Sequence, residues 1–157
     1  MAVIVVGCAD AGKNAPSDKP ALGLAMMQGG ETERAATYLS GVVEDEYDNP
    51  AAHRAYIQAM EKVRRLLDVE EEYAGRLDKE PRWVARYALG IINFVKGPVF
   101  GAKARTELAA AAELAPKVAD VHYRLGIVEL EMEEMIAACT ALKRAVVLDP
   151  KNPSYRP

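Results

Sequence analysis

A chain of 157 residues, half of them hydrophobic and 27% charged, can bury a core and is too apolar to stay disordered. Its net charge of -3, from 20 Lys+Arg against 23 Asp+Glu, provides no basic face for phosphates, so no nucleic-acid partner is expected. Two cysteines exclude a disulfide framework, two histidines (His53, His122) leave little for a metal site, and no apolar run reaches the ~20 residues that span a bilayer. From residue 1 to 8 the chain is a short apolar run, Met-Ala-Val-Ile-Val-Val-Gly-Cys. Small and polar residues without periodicity follow to Lys19, so residues 1–15 read as an apolar head and flexible linker. After Pro20, runs of helix formers are separated at Gly29-Gly30, Asp48-Asn49-Pro50, Glu80-Pro81, Gly97-Pro98, Ala115-Pro116 and Asp149-Pro150. Breaks at this spacing predict seven or eight helices joined by tight turns, each antiparallel to the next. The expected fold class is all-α.

The helical part repeats itself. Tyr87-Ala88-Leu89-Gly90 matches Tyr123-Arg124-Leu125-Gly126, and Leu114-Ala115-Pro116 matches Leu148-Asp149-Pro150, with the two prolines 34 residues apart. Gly126 is followed by Ala138, Leu142, Ala145 and Pro150. Gly90 is followed by Ala104, Leu108, Ala111 and Pro116 at the same spacing, apart from two extra residues near Lys96-Gly97-Pro98. Gly23 is followed by Ala35, Leu39 and Val42, with Gly30-Glu31 at the turn.

These spacings resemble the tetratricopeptide repeat (TPR), a helix–turn–helix of 34 residues. Glycine on the first helix (Gly23, Gly90, Gly126) lets the second approach closely. Ala35, Ala104 and Ala138 are the reciprocal contact, Leu39, Leu108 and Leu142 fill the space beneath, and Pro116 and Pro150 end the second helices. The expected solenoid covers 16–150, in units near 16–49, 50–80, 81–116 and 117–150. The second unit is degenerate: it has no Leu-Gly pair, and its second helix is expected at Glu70–Leu77. Residues 151–157 read as the opening of a capping helix, which would leave the face around Leu142, Val146 and Leu148 for a partner or a second copy.

The resemblance implies a right-handed superhelix whose first helices line a concave groove that holds a peptide or helix of another protein. The inward positions expected are Leu24 and Met27, then Ile57, Glu61 and Arg64. After them come Tyr87, Ile91 and Phe94, then Tyr123, Ile127 and Leu130, with Glu131 at the edge. An apolar, tyrosine-bearing strip suits an extended or helical apolar ligand; the alternative is that several of these residues, Ile91 and Ile127 among them, pack against neighbouring helices. The lysine and asparagine clamp by which some TPR proteins grip chaperone C-termini is absent, since its positions hold Pro20, Leu24, Ile57, Glu61, Tyr87 and Ile91. Acidic runs at Glu70-Glu71-Glu72 and across Glu129, Glu131, Glu133 and Glu134 would attract a basic partner segment or are solvated helix faces and turns, the second reading being preferred.

No catalytic constellation is evident. The histidines lie in different units without ligand spacing, and Cys139 reads as a small buried thiol beside Ala138. Residues 7–13 end in Gly-Lys but lack the spacing of a phosphate loop. The chain is expected to be no enzyme and to need no cofactor or metal. Val5-Val6-Gly7-Cys8 resembles a bacterial lipobox, with Cys8 as the lipidated residue and the linker as a tether. Against it, the apolar run is short and has no preceding Lys or Arg. The expectation is a periplasmic, membrane-tethered scaffold in envelope assembly, similar in role to the pilotins of the TPR family, or otherwise a cytoplasmic protein. A self-associating module is the alternative.

Overall fold

The computed structural model describes residues 18–155, so the head, Cys8 and the last two residues lie outside it. Eight α-helices run in chain order: α1 (Lys19–Gln28), α2 (Thr32–Asp45), α3 (Pro50–Lys62), α4 (Leu66–Ala74), α5 (Trp83–Val95), α6 (Gly101–Leu114), α7 (Ala119–Glu131) and α8 (Met135–Leu148). Single 3-10 turns occupy Pro98–Phe100 and Pro153–Tyr155, and the described residues contain no strand. The most extensive pairings are α7 with α8 and α5 with α6; α5 also touches α3, α4 and α7, which makes it the centre of the array. Its sequence suits that position, because Val84, Tyr87, Ala88 and Ile92 are all sealed from solvent.

The close approach that the glycines predict is visible in the packing. A Cβ added at Gly23 would lie 2.4 Å from Leu39, at Gly90 2.5 Å from Leu108, and at Gly126 2.7 Å from Leu142. Ala35, Ala104 and Ala138 have no exposed surface, and neither do Leu39 and Leu108. Each of these three pairs is therefore closed by a glycine, an alanine and a leucine in fixed register.

The second unit closes differently. α3 has no glycine and packs more on α2 than on α4. A polar knot takes the place of the missing contact. His53 is completely buried, with Nε2 2.7 Å from the Tyr47 carbonyl and Nδ1 2.5 Å from the Tyr73 hydroxyl. Since the carbonyl only accepts, Nε2 carries the proton and Nδ1 accepts from Tyr73. Tyr56 Oη donates to Glu72 at 3.0 Å, adding a further link between α3 and α4. The second helix of this unit is displaced from the expected Glu70–Leu77, beginning at Leu66 and ending at Ala74.

That shift originates in the turn. Arg64 adopts φ 60°, in the left-handed region, and Arg65 N donates to the Met60 carbonyl at 2.8 Å. The same closure joins Glu31 to Met26 at 3.0 Å through Gly30 (φ 87°), and Glu134 to Glu129 at 2.9 Å through Glu133 (φ 62°). Three turns thus share one helix-ending motif, but only Gly30 announces it in sequence. Left-handed geometry costs a residue with a side chain ~1 kcal/mol or more, against a smaller entropic cost for glycine. Glu133→Gly is accordingly expected to raise stability by about 0.5 kcal/mol, read as a higher urea midpoint at unchanged slope.

Candidate functional site

Helical period places Tyr87, Ile91 and Phe94 on one face of α5, and Tyr123, Ile127 and Leu130 on the corresponding face of α7. Their exposure is uneven. Tyr87 is fully enclosed and Ile91 is buried, whereas Phe94, Tyr123 and Ile127 are half-buried and Leu130 and Glu131 are exposed. Tyr87 thus offers no surface to a partner, contrary to the expectation from sequence. Among the earlier inward candidates, Ile57 and Met27 are also core residues, Leu24 is half-buried, and Glu61 and Arg64 are exposed. Phe94 and Glu131 share a recess of about 230 Å³ with Gly101, Val128 and Met132.

Asp120, a residue that sequence reasoning did not select, closes the other end of this face. It is 6% exposed, and its carboxylate accepts from Arg54 of α3, Tyr87 of α5 and, at 3.1 Å, Tyr155 beyond α8. Arg124 Nε stands 3.8 Å from the other carboxylate oxygen, Oδ2. Burial first, then the Asp120 charge, push the Tyr87 and Tyr155 hydroxyls well above the usual phenol range, so both remain donors. Burial works against the charge of Arg54, but Tyr87 and Asp120 outweigh it and hold the guanidinium pKa up. The only sequence signal was an acid one helical turn before Tyr123; its partners lie 66, 33 and 35 residues away.

The remaining singled-out residues are dispersed. His122 Nε2 lies 3.1 Å from the Pro116 carbonyl. Cys139 is exposed, not buried as expected: Ala138 is turned inward with no exposed surface, and the next residue on the helix points away from it. Two of the acids expected to be solvated are tied into the fold: Glu70 pairs with Lys96 at 2.8 Å, and Glu129 is 8% exposed. Among the described residues no group of three His, Cys, Asp or Glu is placed to hold a metal ion. No helix there is long and apolar enough to cross a membrane.

His53 gives the fold a pH dependence. Burial lowers its pKa from the ordinary 6.5 to about 4, so the folded state holds the neutral ring. Its contribution is present above pH 6.5 and is lost as pH falls from there toward 4, because the unfolded chain takes up the proton first. The expected loss is about 3 kcal/mol. Urea midpoints at pH 7 and 4.5 should differ accordingly, and a His53→Gln variant should show a shallower dependence.

Paired antiparallel helices, three of the four pairs closed by glycine, stacked in sequence with first helices neighbouring first helices, define the fold of a TPR solenoid. Solved structures agree. The chain resembles TTC0263, a thermophilic TPR protein of Thermus thermophilus, at 19% identity and TM-score 0.63, over 90% of this chain and 77% of that one. It resembles MamA from Desulfovibrio magneticus RS-1 at 23% identity and TM-score 0.55, over 90% and 81%. YrrB, a TPR protein with an unusual peptide-binding site, matches at 15% identity and TM-score 0.54, over 92% and 91%. No protein-family model matches the chain, and no curated protein matches it in sequence.

Proposed function

We propose that the chain is a protein-interaction scaffold, not an enzyme, and that it holds a peptide or helix of a partner along the inner faces of α5 and α7. The observation that carries this reading is the incompletely buried apolar row of Phe94, Ile127 and Leu130, the last 38% exposed, on faces that the second helices leave free. Side chains half-open at helical spacing suit an apolar segment, with Glu131 at the rim to favour a basic flank. The peptide-binding site of YrrB, on a similar fold, lends support. Peptides selected by display on the full chain should lose most of their affinity for an Ile127→Glu/Leu130→Glu variant that keeps its helical circular dichroism. Unchanged affinity would move the site elsewhere.

A second reading is favoured by α8. Ile136 is 87% exposed and Val147 71%, while Leu142, Val146 and Leu148 are half-buried on the same helix. Stacking of a second copy there would cover them. Sedimentation of the wild-type chain and of Val147→Glu tests it, a strict monomer at high concentration removing the idea. We also propose that Cys8 carries a lipid anchor and that the scaffold works in the bacterial periplasm, in an envelope-assembly role like a pilotin's. The order of apolar run, cysteine and small polar linker supports this placement. Mass spectrometry of the native N-terminus decides it, since a diacylglyceryl Cys8 supports the anchor and an intact Met1 refutes it.

A further inference from the structure

Tyr155 stands apart from its surroundings. Lys151, Pro153 and Ser154 are exposed, and the segment is held locally by the Asn152 side chain, which accepts from Ser154 N at 3.0 Å. Tyr155 itself is only 8% exposed. Its ring centroid lies 4.9 Å from that of Tyr123, tilted by 40°, and its hydroxyl donates to Asp120 Oδ1 at 3.1 Å. The segment therefore enters the inner face of α7 through one side chain.

The receiving surface is built by α3, α5 and α7. Asp120 is fixed from behind by Arg54 and Tyr87, and Tyr123 lies one helical turn further along the same face of α7. A carboxylate offers about four acceptor positions. With Arg54 and Tyr87 on two of them, acceptor capacity remains, and Tyr155 uses it from a position where its ring also packs on Tyr123. A phenol satisfies both conditions at once. A phenylalanine fills the ring position but leaves the carboxylate without that donor, and an aliphatic side chain forgoes the ring contact as well.

We infer that Asp120 and Tyr123 form a phenol-accepting slot in the groove, that Tyr155 is its resident occupant, and that a partner segment enters by presenting a tyrosine that displaces it. The inference rests on the reading of the α5–α7 face as a partner groove and specifies the partner's chemistry there. Because Tyr155 is tethered a few residues beyond α8, it competes at high effective concentration, so an outside tyrosine binds with reduced apparent affinity until the tether is removed.

The test uses the full-length chain and a fluorescein-labelled peptide of its own residues 151–157, Lys-Asn-Pro-Ser-Tyr-Arg-Pro, followed by anisotropy. Tyr155→Ala should bind this peptide at least about tenfold more tightly than the wild type. On that variant, the same peptide with phenylalanine in place of tyrosine should bind about tenfold more weakly. Equal binding by wild type and variant, or equal binding of the two peptides, overturns the slot. Should Tyr155→Ala lose its helical circular dichroism, fluorotyrosine-labelled wild-type chain replaces it. Excess peptide should then shift the Tyr155 resonance toward a solvent-exposed value, and a resonance that stays fixed overturns the slot.

The two readings fail separately. Selected peptides that depend on Ile127 and Leu130 but ignore Tyr155→Ala retain the groove and remove the slot. A tyrosine peptide that binds Tyr155→Ala, when no selected peptide depends on Ile127 or Leu130, retains the slot and removes the groove. Wild-type chain that self-associates only while Tyr155 is present assigns the occupant to a second copy, which overturns the partner.

Discussion

Gly90→Ala is expected to lower stability by about 2 kcal/mol, whereas the same substitution at Gly41 is expected to raise it by up to ~1 kcal/mol. Both glycines are helical, in α5 and α2, so the gain in helix propensity is common to them. What differs is the space. Around Gly41 a Cβ meets nothing within 4 Å, while at Gly90 it lies 2.5 Å from Leu108 Cγ and 3.3 Å from the Ala104 carbonyl oxygen. Leu108 has no exposed surface to move into, and the carbonyl belongs to the α6 backbone, so the two helices must separate. The steric cost exceeds the propensity gain. In a double-mutant cycle, Leu108→Ala combined with Gly90→Ala should cost less than the sum of the two, because the new methyl occupies part of the cavity. Additive losses would place the strain elsewhere.

The second large effect is expected at Asp120. Asp120→Ala removes the common acceptor of Tyr87 and Tyr155 and leaves Arg54 without its counter-charge. Tyr87 is fully enclosed, so its hydroxyl has no water to turn to, whereas Arg54 keeps a third of its side chain in solvent. That partial access lowers the cost of the orphaned charge from the 3–5 kcal/mol typical of a broken buried pair to about 3 kcal/mol overall. Adding Arg54→Met should recover about half of the loss, since the apolar replacement removes the charge and retains packing. Urea denaturation of the two variants measures both steps. If Asp120→Ala proves nearly neutral, the cluster is no fastening between α3, α5 and α7.

The same two regions show why the sequence is informative in one place and silent in another. Gly90, Ala104 and Leu108 recur at the spacing of Gly126, Ala138 and Leu142 because steric closure demands those sizes in that order, and size is written in residue type. The α3–α4 pair is closed by hydrogen bonds of His53 with Tyr73 and of Tyr56 with Glu72, which have no counterpart in the other pairs among the described residues and leave no periodic trace. Turns held by Arg64 and Glu133 likewise conceal the geometry that Gly30 displays openly. For Tyr87, helical period supplies the face it shares with Ile91 and Phe94. Its hydroxyl partner is Asp120, which Arg54 also binds, and these residues of other units are paired only in the folded chain.

Chemical-shift mapping of the full-length chain with a selected peptide is the most direct test of the groove. Perturbations should concentrate on Ile91, Phe94, Tyr123, Ile127 and Leu130, with α2 and α4 unaffected. Perturbations confined to α8, or to the second helices, would contradict it.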